Sequence, residues 1–153
     1  MALSANLGTT LRAKQGDIFG YKVAGGVHIY VGATVTVALA GVTAGYARPA
    51  LSNDTGLSQY VVGIARKEAN AVGKSNGDLE VLVQRGRWRR EKAGAVQSDV
   101  GKLACIADDE TVRLYDLAAE SNIVCGRITE IDGSRVFVDY DMQNVRVATS
   151  LTQ

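Results

Sequence analysis

The sequence predicts an all-β chain, a small barrel or sandwich of short antiparallel strands with an extended N-terminal arm. Three observations predict it. Seventeen glycines and one proline, Pro49, punctuate the 153 residues into pieces of about 5–8 residues, the length of strands rather than helices. From Val27 to Leu39 every odd position is apolar (Val27, Ile29, Val31, Ala33, Val35, Val37, Leu39), while the even ones are His28, Tyr30, Gly32, Thr34, Thr36 and Ala38. This two-residue period belongs to a strand. No segment sustains an apolar pattern at helical spacing, and the best candidates are one or two turns around Ala93–Val100 and Asp116–Ser121.

Taken in order, residues 1–16 are polar and rich in Ala, Thr and Gly, which predicts an arm that orders only against a neighbour, with Leu3, Leu7 and Leu11 as its contact residues. Residues 17–142 form the predicted β-domain. Its strands are expected at Ile18–Val23, Val27–Leu39, Tyr60–Ala65, Leu79–Gln84, Leu103–Ile106 and Ile123–Ile131. Gly32 should bend or break the second of these, because glycine inside a strand marks a bulge or corner. Alternation recurs at Val112 and Leu114, and at Val136, Val138 and Tyr140, with Asp108-Asp109-Glu110 and Asp132-Gly133-Ser134 as turn chemistry between runs. The tail, 143–153, alternates at Val145 and Val147 and could add an edge strand or bind a partner.

Composition bounds the function. Seventeen Lys+Arg against 16 Asp+Glu give a net charge of +1, so the whole-molecule field argues for neither nucleic acid nor an acidic substrate. Hydrophobic residues make up 46%, yet no apolar run approaches the ~20 residues a membrane helix needs. The N-terminus lacks the basic-then-apolar order of a secretory signal, which predicts a chain that stays in the cytoplasm where it is made.

Chemical motifs are sparse. Cys105 and Cys125 lie in apolar contexts and read as two buried thiols, with no histidine or cysteine at ligand spacing to make a metal site. Gly73-Lys74-Ser75 resembles the end of a phosphate loop, but position 68, where that pattern needs glycine, is glutamate. It reads as a polar turn. His28, the single histidine, reads as a surface or interface residue, and Asp108-Asp109-Glu110 as a solvated turn without the ligand spacing of a calcium loop. These readings predict a protein that is not an enzyme and carries no cofactor or metal.

One charge patch stands out, Gln84-Arg85-Gly86-Arg87-Trp88-Arg89-Arg90-Glu91-Lys92. As a strand it would project Arg85, Arg87 and Arg89 to one side and Gly86, Trp88 and Arg90 to the other. Arginine and tryptophan are enriched at the energetic centres of protein interfaces, so Arg85, Arg87, Trp88, Arg89 and Arg90 are the candidate interface residues. Single-stranded nucleic acid, with arginines on phosphates and Trp88 stacked on a base, is the competing reading. A solvated strand end with a cation–π contact between Trp88 and an arginine is the third.

The succession GVHIYVGATVTVA, AGYARPA, YVVGIARKEA, GDLEVLVQRGRW, DVGKLACIADDETVRLY and VCGRITEIDGSRVFVDYD resembles the bacteriophage capsid cement, or head decoration, proteins. The likeness covers residues 16–141 and departs in the RGRWRRE run and the long N-terminal arm. It implies a compact β-domain that assembles as a homotrimer on the outer surface of a virion and bridges major capsid subunits, without direct contact to nucleic acid or membrane. The alternatives are a small β-barrel nucleic-acid binder and a tail or baseplate component.

Overall fold

The computed structural model describes residues 18–51, 59–119 and 122–141. Leu3, Leu7, Leu11 and the alternating tail lie outside them. The strands are β1 (Ile18–Lys22), β2 (His28–Ile29), β3 (Thr34–Ala38), β4 (Ala47–Pro49), β5 (Gln59–Ala65), β6 (Ala69–Asn70), β7 (Glu80–Gln84), β8 (Arg87–Glu91), β9 (Leu103–Ile106), β10 (Val112–Leu114), β11 (Val124–Asp132) and β12 (Arg135–Asp139). The chain is all-β, and its only helical piece among the described residues is a 3-10 turn at Gln97–Asp99, inside the stretch where the sequence allows a turn or two. The Val27–Leu39 run divides as its glycine predicts: Gly32, at φ +87°, separates β2 from β3.

Two five-stranded antiparallel sheets form, in the orders β1-β7-β5-β3-β4 and β10-β9-β11-β12-β8, beside a two-stranded β2-β6 pair. Each large sheet curls until its edges touch at one isolated parallel bridge, Val23 to Ala47 in the first and Glu91 to Thr111 in the second. A single bridge does not continue the ladder, so the sheets stay open and the arrangement is a sandwich rather than a barrel.

The first sheet is buried on both faces at its centre, which is why β3 is buried at every position. Val35 and Val37 point into one core with Ile29, Val62, Val81 and Val83. Thr34 and Thr36 face the other way, where burial requires partners for their hydroxyls. Thr34 has Tyr140 and Thr36 has the Gln59 side chain at 2.8 Å. Strand β5 serves both cores. Val62 and Ala65 join the first, while Val61 and Ile64 join a second built with Ile106, Cys125, Ile128, Val136 and Val138 of the opposing sheet. A register shift opposite Val35 and Thr36 makes this possible, since one extra residue beside Gly63 changes the phase of the side chains. Each buried valine or isoleucine contributes about 1.5–3 kcal/mol, so two cores sharing one central strand couple the halves of the molecule.

Candidate protein interface

The Arg/Trp run divides at Gly86. Its φ of +104° breaks the strand period, so Arg85 does not share a row with Arg87 and Arg89 as a continuous strand would have it. Arg85 stays with the first sheet. Its guanidinium lies 5.3 Å from the Phe19 ring centroid, its Nη2 donates to the Tyr60 hydroxyl at 3.1 Å and its Nε to the Val62 carbonyl at 3.4 Å.

Beyond Gly86 the chain enters the second sheet as β8 and pairs with β12: Arg87 opposite Asp139, Trp88 opposite Val138, Arg89 opposite Phe137, Arg90 opposite Val136 and Glu91 opposite Arg135. The inner face therefore carries Trp88 and Arg90. Trp88 packs half-buried on the second core, donates from Nε1 to the Arg85 carbonyl at 3.1 Å, and holds the Arg66 guanidinium 5.2 Å from its ring centroid. The cation on the indole thus comes from the β5–β6 turn, not from the run itself. Arg90 is 7% exposed, and its Nη2 donates to the Gly32 carbonyl at 2.6 Å. Arg90 is therefore held at the junction between the sheets, which leaves Arg87 and Arg89 as the exposed arginines of the run.

The outer face carries Arg87, Arg89 and Glu91, and register extends it across two more strands. Arg87 continues to Asp139 and Arg127, Arg89 to Phe137 and Glu130, and Glu91 to Arg135 and Asp132. Four guanidinium groups and four carboxylates surround Phe137, with like charges adjacent only at Arg87/Arg89 and at Glu130/Asp132. Arg89 pairs with Asp132 at 3.2 Å and Arg135 with Glu91, all four side chains being well exposed. Exposed pairs of this kind are worth about 0–1 kcal/mol each, but the four carboxylates match in number the four arginines of the face. A shallow cleft of about 220 Å³ lined by Arg89, Arg90, Glu91, Glu110 and Arg135 opens beside this face and mixes both signs as well.

The remaining candidates are structural. Cys105 and Cys125 are both free and buried, and burial pushes the Cys105 thiol up to about 11 and Cys125 higher still, so neither is a thiolate at neutral pH. His28 lies 2.6 Å from the Glu68 carboxylate and stacks on Tyr30 with centroids 4.0 Å apart. Ser75, of the Gly-Lys-Ser turn, donates its N–H to Asp78, and the Asp108 carboxylate accepts from the N–H groups of Glu110 and Thr111. Among the described residues no group of three or more His, Cys, Asp or Glu side chains could hold a metal ion.

Arg66 escapes sequence reasoning because the signal joining it to Trp88 is tertiary: 22 positions and a change of sheet separate them. No family model, curated protein or solved structure matches the chain.

Proposed function

We propose that the chain is a structural virion protein, a cement or decoration protein that binds the outer surface of a bacteriophage head and bridges neighbouring major capsid subunits as a homotrimer. The observation that carries this reading is the mixed-charge outer face of β8, β12 and β11, with four arginines and four carboxylates. A surface with both signs at fixed positions is complementary to another protein surface in one register and offers no continuous track to a polyanion. The order of Gly-punctuated motifs supports the same reading through the family it resembles. Bridging several subunits makes each further contact effectively intramolecular, so weak single contacts suffice to hold a shell together.

The nucleic-acid alternative has less to stand on. Of the arginines in the run only Arg87 and Arg89 are exposed, and the Trp88 ring is engaged by Arg66 and the second core. A base would have to displace those contacts before stacking.

Binding to emptied phage heads and to a single-stranded oligonucleotide, at low and moderate salt, tests the proposal on wild type and on Arg87→Glu with Arg89→Glu. Head binding should fall about tenfold or more in the variant, with negligible oligonucleotide binding throughout. Oligonucleotide binding that declines with a log–log salt slope of about −0.7 per contacted phosphate, is lost in the variant, and leaves head binding untouched would overturn it.

A further inference from the structure

The loop 71–79 between β6 and β7 reads AVGKSNGDL, and its Asn76-Gly77 step is reactive as well as turn-forming. Of the six asparagines in the chain only Asn76 precedes glycine. With no side chain on the next residue, the peptide nitrogen after Asn76 is unshielded and can reach the carboxamide carbon that a bulkier neighbour would screen. The fold holds both residues in place. Gly77 has a φ of +84°, and a Cβ there would lie 3.3 Å from the Tyr46 ring. Asn76 is exposed, yet its Oδ1 accepts from the Gly25 N–H at 2.7 Å and its Nδ2 donates to the Val42 carbonyl at 3.3 Å, which ties three loops together.

The nitrogen that would attack is engaged too. Gly77 N–H donates to the Val23 carbonyl at 2.9 Å, and the turn around the pair is closed by Ser75 N–H donating to the Asp78 carboxylate at 2.9 Å. Gly25 N–H is placed to stabilise negative charge on Asn76 Oδ1 during attack, an effect that opposes this restraint. The restraint wins while the loop is closed, because an amide whose proton is given to Val23 is no nucleophile.

We propose that Asn76 is a self-modification site held latent by the folded loop, and that it deamidates when the loop opens and releases it from Gly25 and Val42 and Gly77 from Val23. In that step a solvent base takes the Gly77 amide proton, the nitrogen bonds to Asn76 Cγ, and the Cγ–Nδ2 bond breaks to release ammonia. Water then opens the resulting succinimide at either carbonyl and leaves aspartate or isoaspartate. The only co-reactant is water. The product has lost the donor to Val42 and sets a carboxylate oxygen against that carbonyl, acceptor against acceptor. Each conversion therefore records one local opening and weakens the tie that would close the loop again.

Peptide mapping by mass spectrometry tests it on the full chain held at mildly alkaline pH, folded in one series and unfolded in concentrated urea in the other. In urea Asn76 should convert ahead of the other asparagines, and in the folded protein it should convert about tenfold more slowly or less. Asp78→Ala removes the exposed carboxylate that holds Ser75, so it should raise the folded rate severalfold and leave the rate in urea unchanged, with circular dichroism confirming the fold. Asn76→Asp carries one product from synthesis and should speed hydrogen exchange at the Gly77 amide. A folded rate equal to or above the rate in urea would overturn the proposal, as would conversion in urea without preference for Asn76. An Asp78→Ala rate equal to folded wild type, or Gly77 exchange that Asn76→Asp leaves unchanged, would overturn it as well.

Discussion

The hydroxyl of Tyr140 lies 2.9 Å from Oγ1 of Thr34, 106 residues earlier, and both groups are buried. This contact joins the end of β12 to the start of β3 and so links the two sheets. Arg90 reinforces the junction from β8 by donating to Gly32 and to the Tyr140 oxygen. Burial pushes the phenol well above its ordinary value, so it is a neutral hydroxyl at neutral pH.

Tyr140→Phe should therefore destabilise by more than a lost surface hydrogen bond. A buried hydroxyl left without its partner costs about 1–3 kcal/mol, which for a chain of this length lowers Tm by about 2–4 °C per kcal/mol. Adding Thr34→Val removes the orphaned group, and the double variant should recover part of the loss. Thermal melts of the two single variants and the double measure the coupling; strict additivity would show that the contact does not join the sheets.

Acid should weaken the protein through Asp99. Its carboxylate is 2% exposed and accepts from Lys92 Nζ at 2.9 Å, the Val96 N–H at 3.1 Å and Lys102 Nζ at 3.5 Å. Hydrogen bonding by Lys92 first, then by Val96, outweighs desolvation and holds the carboxyl below its ordinary 3.8. A folded value below the unfolded one means that the contribution is complete above the unfolded value of about 3.9 and is lost as pH falls through the lower folded value. Asp99→Asn also leaves Lys92 buried without its counter-charge, at a cost of about 3–5 kcal/mol. Urea midpoints measured from neutral to acid pH should show this loss at neutral pH, with a shallower decline toward acid than wild type.

Gly63 should resist substitution more than most glycines here. Its φ is +142° and a Cβ would lie 2.5 Å from the Gln84 carbonyl oxygen, where β5 meets β7. Gly63→Ala therefore adds a backbone clash to a conformational penalty of about 1–2 kcal/mol. Gly26, at φ +83°, has nothing within 4 Å of a Cβ, and Gly26→Ala should show the conformational penalty alone. Equal losses for the two variants in denaturant titrations would contradict the close approach at β7.

The local period of the chain was enough to place most strands and assign their faces. Val35 and Val37 point to a core because odd positions from Val27 to Leu39 are apolar, and Gly32 divides that run because it adopts a left-handed turn. β4 and β6 were not legible: at three and two residues they carry no period, and they count as strands through their partners alone. The Arg/Trp run shows the same division more sharply. Alternation put Trp88 and Arg90 on one face and Arg87 and Arg89 on the other, as β8 has them. Gly86 sent Arg85 to the first sheet, Gly32 drew Arg90 inward from 58 residues away, and register set carboxylates beside Arg87 and Arg89. Periodicity is a property of neighbouring residues, whereas the partner of a guanidinium is decided by which distant strands pair and in what register.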